Sequence, residues 1–530
     1  MKPETSSEAQ KREKRNKDRN VLAAARGSGL LAFGKFFNMG GRLIVALLLA
    51  RLLGAAEYGI YNLAMSAATL AMAIGVFGLD DAMLRYVAIY AGKKDHARLW
   101  GAILLGTGGT LLASTLAGVG LFVLADWLSL RIFHEPSLAP ILRLLSLLVP
   151  FLALSNVLVS IAHGFKRMEY SVLAEDIGQL LIRLVLLAVL SFTGLSATKA
   201  ALVFGVSDVL TCFVLIYLLN RDFKWNQPLR AAHLETREIT TYALPLWLSG
   251  MLAKFRNNID TLVLGALSSA ANVGVYSLLV RVNFIGHVSY QSIVRSVKPV
   301  LAEVSSRGAR DEMADIYQTA TRWTLILNLP MFLLLVLFPN NILTIFGGSY
   351  MEGTQALVIL AWAELLNAST GICGSIIDMG GYPRVKLFNS VSQIAILLGL
   401  NFLLIPRFEM LGAAIAIAVS IVYVNLLRVG QVWYLFKILP HNRSFIKPVV
   451  AALIAGGAAL ITANLLQNAP SLLQLASEAL VVFVVMAAGL LAMGLAPEDQ
   501  MIAAKLYRWT TSLSTRQWGI FTRFITAKLP

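Results

Sequence analysis

Charged side chains interrupt the apolar runs of this sequence where they are costly to bury. Lys35 and Arg42 stand seven residues apart in a stretch without acidic residues, hence about 20° apart around a helix. A charge at mid-membrane costs roughly 2.5–3.5 kcal/mol on an insertion scale, so such groups face water or a partner. An unneutralised cationic stripe facing water would attract an anion such as a phosphate. The competing reading pairs each cation with an acid on a neighbouring helix, Asp80 or Asp208.

Other charges fall in comparable positions. The basic ones are Arg85, Arg143, Arg183, Lys254, Arg256, Arg281, Arg322 and Arg428. The acidic ones are Asp80, Asp81, Glu175, Asp176, Asp208, Asp260, Glu364 and Asp378. Asp81 with Arg85, and Arg256 with Asp260, have the i, i+4 spacing at which helical neighbours neutralise each other. Asp176 and Arg183 share one face of a regular helix. Arg143 and Arg322 lie near the ends of their runs and can snorkel. Asp80, Asp81, Arg85, Asp208, Asp260 and Arg281 are the candidates for cavity charge or for coupling to an ion gradient.

Covalent chemistry finds little support. His96, His134, His163, His233, His287 and His441 are scattered without metal-ligand spacing. No phosphate-gripping loop and no nucleophile–base constellation stands out. Neither a metal nor a cofactor is expected. The loops are too short to carry a catalytic domain, which favours moving a substrate over making one. The chain is read as a non-enzyme.

The elements that must position these charges are membrane helices. Of 530 residues, 57% are hydrophobic and 14% charged. A helix needs about 20 apolar residues to cross a bilayer, and about fourteen such runs recur between Gly29 and Leu495. The expected spans are 29–53, 60–90, 97–125, 138–163, 170–193, 197–219, 239–265, 272–298, 319–346, 354–379, 385–405, 410–436, 444–466 and 471–495. Pro150, Pro245 and Pro330 fall inside spans, where each removes a backbone hydrogen bond. Gly40-Gly41, Gly108-Gly109 and Gly380-Gly381 add flexible points. Cys212 and Cys373 both lie in spans, so no disulfide framework is expected.

The net charge of +16 would suggest nucleic acid in a soluble protein. Here the basic residues gather in the tails and alternate loops, such as Lys93-Lys94, Lys166-Arg167 and 221–237. The loops at 266–271, 340–353 and 467–470 have neither Lys nor Arg. That asymmetry places both termini in the cytoplasm. The expected organisation is a basic tail at 1–28, six spans at 29–219, a cytoplasmic linker at 220–238, six spans at 239–436, two further helices at 437–495 and a tail at 496–530. In that tail Trp518, Phe521 and Ile525 would share a face, either as an interfacial helix or within a frayed end.

The two halves repeat weakly. Gly59-Ile60-Tyr61-Asn62-Leu63 matches Gly274-Val275-Tyr276-Ser277-Leu278. Ala200-Ala201 followed by Ser207 matches Ala413-Ala414 followed by Ser420. The offset is about 214 residues in both, and an even number of spans per half makes the repeat parallel. The fold class is thus an all-α polytopic membrane protein of about 14 transmembrane helices, two six-helix lobes in parallel repeat plus two peripheral helices.

The run Ala50-Arg51-Leu52-Leu53-Gly54-Ala55-Ala56-Glu57-Tyr58-Gly59-Ile60-Tyr61, followed by Phe77-Gly78-Leu79, resembles the opening of Wzx-type polysaccharide flippases. These belong to the multidrug/oligosaccharidyl-lipid/polysaccharide exporter superfamily. Three later segments agree: Tyr242-Ala243-Leu244-Pro245 leading to Asp260 and Leu264-Gly265; Val273-Gly274-Val275-Tyr276 with Arg281; and Pro330 leading to Phe346-Gly347-Gly348-Ser349-Tyr350. The likeness extends over about residues 25–495, while both polar tails lie outside it. It implies two lobes facing each other around a central cavity and alternating access. It implies the flipping of an undecaprenyl-pyrophosphate-linked oligosaccharide across a bacterial inner membrane. The partners implied are that lipid-linked substrate, membrane lipids, and polysaccharide polymerase and export proteins, with no nucleic acid.

Related lipid II flippases carry cations in the first span and at the start of the second lobe. Lys35, Arg42 and Arg256 occupy comparable places, which implies a role in binding the pyrophosphate. Two other functions fit the same spans. A cation-coupled drug exporter of the superfamily would favour acids where Lys35 and Arg42 stand. A non-transporting scaffold for polysaccharide assembly would not need the cationic stripe.

Overall fold

Apolar runs that cannot meet water must satisfy their own backbone hydrogen bonds, and they do so as helices. All regular elements among the described residues are helical. The structure is a computed structural model. It describes residues 6–494 apart from 224, 226 and 227, with side chains placed from Gly34 onward apart from Lys35, Phe36, Asp222, Leu229 and Ser289.

In chain order the helices are α1 (Ser6–Val76), α2 (Leu79–Lys93), α3 (His96–Trp127), α4 (Leu138–Gly164), α5 (Met168–Ser171), α6 (Gln179–Ser191), α7 (Ala197–Asp222), α8 (Thr236–Leu267), α9 (Ala270–Ser306), α10 (Arg310–Leu337), α11 (Pro339–Thr344), α12 (Thr354–Thr370), α13 (Cys373–Met379), α14 (Pro383–Phe436), α15 (Ile446–Leu465) and α16 (Ser471–Ala492). A π-helical turn, Val172–Gly178, joins α5 to α6.

Among the described residues eight helices are long and apolar enough to cross a membrane. The number is nine if Gly348–Thr370 and α13, bent by 45° at their junction, form one broken span. The protein is therefore a multi-pass membrane protein. Three of the eight run to 37 residues or more, and two of these are broken. The 54 residues of α14 would extend about 81 Å as one rod, but Glu409 breaks it with φ 49° and ψ −125°. Asn272 Nδ2 donates to the Glu409 carboxylate at 2.8 Å, holding the break. Gly54, with φ 73° and ψ 173°, divides α1 in the same way.

These two breaks fall at the gaps between the expected spans 29–53 and 60–90 and between 385–405 and 410–436, whereas a further break corrects the expectation. The run at 60–90 is two helices, parted at Phe77-Gly78, where both residues have positive φ. A Cβ on Gly78 would lie 2.4 Å from the Ala243 carbonyl oxygen, so the missing side chain lets α8 approach. Trp247 of α8 packs at a tilt against Phe77, ring centroids 5.0 Å apart, and donates its indole N–H to the Ala73 carbonyl at 3.0 Å. The basic segment expected as a separate tail is continuous with the first span, since α1 begins at Ser6. The amphipathic face expected at Trp518, Phe521 and Ile525 lies outside the described residues.

The chain divides into two compact units. The first comprises the described residues through Val282 with Phe346–Ala356 and Leu397–Ala416. Its core joins Met83 and Tyr86 of α2, Ile103 of α3, Leu158 of α4, Leu215 of α7 and Ile239 of α8. The second comprises Asn283–Ile345, Leu357–Ile396 and the described residues from Ile417 onward. Its core joins Leu301 of α9, Tyr317 of α10, Ile376 of α13 and Val432 of α14.

Within the first unit the repeated motifs meet. A Cβ on Gly59 would stand 1.7 Å from the Ala270 carbonyl oxygen, and one on Gly274 would stand 1.9 Å from that of Ala55. The contact is reciprocal, because Ala55 precedes Gly59 as Ala270 precedes Gly274. Small residues at such crossings let helix backbones touch. Two residues beyond each glycine, Tyr61 and Tyr276 are both buried.

Candidate functional site

The close approach at Gly59 fixes the residues after it on α1. Asn62 Nδ2 donates to the Tyr58 carbonyl at 2.6 Å, which orients its amide. Its Oδ1 then accepts from Arg281 Nη2 of α9 at 2.8 Å. The Arg281 guanidinium also lies 5.7 Å from the Tyr58 ring centroid, within cation–π range. Arg281 therefore keeps its positive charge among neutral partners.

Tyr61 packs on Phe204 of α7 at 5.4 Å, and the other neighbour of that ring is Arg183, with Cζ 4.2 Å from the centroid. Arg183 Nη2 donates to Asp208 Oδ2 at 3.0 Å, and Nε donates to Ser207 Oγ at 2.8 Å. Gln179 Nε2 donates to Asp208 Oδ1 at 2.6 Å. The Arg183 and Asp208 side chains are only 12% and 9% exposed. Such a pair is tolerated because each charge meets the other and further hydrogen bonds complete both.

This pairing corrects the expected match of Asp176 with Arg183. The π-helical turn inserts one residue relative to an α-helix, rotating the downstream residues by about 100°. Asp176 points at α1, where Asn38 Nδ2 donates to its Oδ1 at 3.2 Å. Arg183 faces α7 instead. It also removes Asp208 as the expected partner of Arg42. Arg42 is exposed, it lies in repulsive range of Arg183, and it makes neither an ion pair nor a hydrogen bond among the described residues. Lys35 shares helix α1 with it, but its side chain lies outside the described residues.

Asp260 of α8 forms a second cluster. Tyr276 donates its hydroxyl to Oδ2 at 3.2 Å, and Asn401 of α14 donates Nδ2 to Oδ1 at 3.2 Å. The acid is 5% exposed. Arg256, one turn earlier, is half-buried and lies close enough to attract the Asp260 charge. The expected helical pair survives as that attraction, while neutral donors hold the carboxylate.

The expected Asp81–Arg85 pair does not form. Arg85 lies over the Tyr242 ring, with Cζ 4.4 Å from the centroid. Asp80 and Asp81 occupy the first turn of α2, where the positive end of the helix dipole favours acids. Lys254 of α8 adds its attraction to Asp80.

The helices that carry these charges have counterparts in known proteins. The model of the family described as polysaccharide biosynthesis protein matches residues 24–305, more than half of the chain. The chain belongs to this family. A second family model, MatE, matches residues 245–403. A probable low-salt glycan biosynthesis flippase, Agl15 of Haloferax volcanii, is 24% identical over 35% of this chain and 39% of its own length. A probable flippase, AglR, of the same organism is 25% identical over 58% of this chain and 63% of its own. The matched region thus spans less than two thirds of either relative. Among solved structures the lipid II flippase MurJ, in an inward closed conformation, aligns over 88% of this chain and 99% of its own with a TM-score of 0.67 at 14% identity. That likeness establishes a shared fold.

In this member of the polysaccharide biosynthesis family, sequence reasoning overlooked the neutral members of both clusters. Gln179, Phe204 and Asn401 carry no charge to attract notice, and Asn62, Tyr276 and Ser207 stand out only as repeat residues. One signal was available: Gln179 and Arg183 have i, i+4 spacing, and Ser207 adjoins Asp208.

Proposed function

We propose that the chain flips a polyprenyl-pyrophosphate-linked oligosaccharide from the inner to the outer leaflet of a bacterial inner membrane, by alternating access, for cell-surface polysaccharide biosynthesis. Arg42 carries this reading. It is an exposed, unpaired cation within a span, and the neighbouring Arg183–Asp208 pair is already neutralised. A diphosphate anion would complete Arg42, with Lys35 and Arg256 as its partners. Arg281, whose partners are neutral, adds positive charge. Asp80, Asp81, Arg85, Asp208 and Asp260 serve in charge balance or ion coupling.

The proposed architecture has fourteen crossings, with lobes at 29–219 and 239–436, an accessory pair at 437–495 and cytoplasmic termini. The reciprocal Gly59–Gly274 contact supports a parallel repeat of the lobes. Topology is tested with Ser268→Cys and Arg230→Cys in intact cells. An impermeant thiol reagent should label the first and spare the second.

The MatE match favours a second reading, a cation-coupled exporter of organic cations. Proteoliposomes containing the full chain decide between them. Translocation of a fluorescent polyprenyl-pyrophosphate-linked oligosaccharide, abolished by Arg42→Gln, supports the flippase. Transport of an organic cation without glycan flipping supports the exporter. A chain that moves neither, yet restores polymer in a strain lacking it, is a scaffold.

A further inference from the structure

The second unit holds an acid–imidazole pair, its acid buried and its ring half-buried, to which the proposed transport site assigns no role. His287 of α9 and Glu364 of α12 approach with Nδ1 and Oε1 3.2 Å apart. Glu364 is 7% exposed. Asn367 Nδ2 donates to the same Oε1 at 3.3 Å, while Asn367 Oδ1 accepts from Asn425 of α14 at 3.0 Å. On the far side of the ring, Gln291 Nε2 lies 3.0 Å from His287 Nε2. Phe284 and Tyr290 flank the imidazole, with centroids 5.5 and 5.4 Å away.

The surroundings are built to leave room there. A Cβ on Gly286 would stand 2.5 Å from Asn328 Oδ1. Without it, α10 comes close enough for Asn328 Nδ2 to donate to the Gly286 carbonyl at 3.0 Å. A small cavity remains beside this contact, with Asn283, Asn328 and Glu364 as its polar lining. Other ionisable groups in the surroundings are Tyr290 of α9 and, acting on it, Cys373 and Asp378 of α13 and Arg428 of α14. Lys386 and Lys298 already hold Asp378, at 3.0 and 3.9 Å.

Both ring nitrogens are thus engaged, and the partners define the chemistry. A carboxylate can only accept, so Nδ1 carries hydrogen and donates to Glu364. Nε2 accepts from the Gln291 amide in the neutral ring. A proton arriving from water at Nε2 makes that nitrogen a donor. The Gln291 amide can answer by turning its oxygen inward. The hydrogen bond from neutral imidazole to the Glu364 carboxylate then becomes an imidazolium–carboxylate pair, which is stronger.

We propose that His287 and Glu364 form a proton-binding site that tightens the clasp between α9 and α12 when occupied, making transport pH-dependent. The link to transport rests on the flippase reading, whereas the site itself does not. Imidazole is the side chain whose ordinary protonation falls between about pH 5 and 8.

The full chain, with 15N-labelled histidine and reconstituted in bilayers, is titrated by solid-state NMR, and His287→Gln assigns the His287 signals. Acidification should convert the His287 ring to imidazolium, and Glu364→Gln should displace that transition. A ring that stays neutral throughout, or titrates identically in Glu364→Gln, overturns the site. Glu364→Asp keeps the charge and should retain the transition if the Gln variant folds poorly. In proteoliposomes, flipping should differ several-fold between acid and alkaline buffer. His287→Gln should remove that difference, and an unchanged pH dependence overturns the coupling. Absence of flipping by the parent at every pH counts against the flippase reading alone, since the titration reads the site without it.

Discussion

Asp208 and Asp260 are both buried acids in the first unit, near tyrosines set by the same Gly-x-Tyr frame, yet they are held in opposite ways. Arg183 and Gln179 close on Asp208, leaving a neutral pair. Tyr276 and Asn401 close on Asp260 as neutral donors, and Arg256 lends its charge from one turn away. Packing is repeated between the two regions, but electrostatics is not. A locked pair suits a rigid frame beside Arg42. An acid held by neutral groups has no buried counter-ion locked against it.

The sharpest way to break that contrast is to remove the acids one at a time. Asp208→Ala leaves the Arg183 guanidinium buried without its counter-ion, which costs about 3–5 kcal/mol. The melting temperature of the purified protein should fall steeply. Adding Arg183→Met should recover most of the loss, because the orphaned charge goes with it. A double variant as unstable as the single one would mean that Asp208 supports the fold through something other than the pair.

Asp260→Ala should cost less. It deletes the acceptor of two hydrogen bonds from neutral donors but leaves no buried cation without its counter-ion. Thermal melts of the two alanine variants, run side by side, read the difference. Equal losses would erase the distinction between a locked pair and an acid held by neutral donors.

The shared frame is tested by Gly59→Ala and Gly274→Ala. Each new methyl meets a carbonyl oxygen of the opposing helix, and overpacking of this kind costs about 1–3 kcal/mol. The two losses should be similar, and the double variant should fall short of their sum, since both act on one contact. Strongly unequal losses would show that the repeat is sequence-deep only.

The helical, membrane-spanning character was legible because twenty-residue apolar runs have no other solution in lipid. The breaks at Gly54 and Glu409 were legible as gaps between expected spans, whereas the one inside 60–90 was not. Periodicity cannot tell a continuous span at 60–90 from two helices parted at Phe77-Gly78, because the break depends on how α8 packs there. Charge pairing failed for a related reason. Helical spacing joined Asp81 to Arg85 and Asp176 to Arg183, but an aromatic face at Tyr242 drew off Arg85. The π-helical turn moved Arg183 to another helix. Arg42 was legible as a cation without a local acid, whereas the structure was needed to show that Asp208 is already taken.

Arg42 should show the smallest change in stability and the plainest change in activity. An exposed side chain without a partner contributes within about 0.5 kcal/mol to folding, so Arg42→Gln should melt with the parent and accumulate normally in membranes. Arg183→Gln strands Asp208 and should not. If Arg42 holds a diphosphate, the same Gln variant should stop flipping. Arg42→Lys should keep part of it, since an ammonium binds phosphate as a point charge without the bidentate geometry of guanidinium. Lys35→Arg should likewise keep part of the activity, and Arg256→Gln should lose it. Flipping measured in proteoliposomes, with membrane abundance measured in parallel, separates the two roles. Normal flipping by Arg42→Gln at normal abundance would remove the phosphate clamp. Loss of the protein from the membrane would instead place Arg42 with Arg183 among the residues that hold the frame.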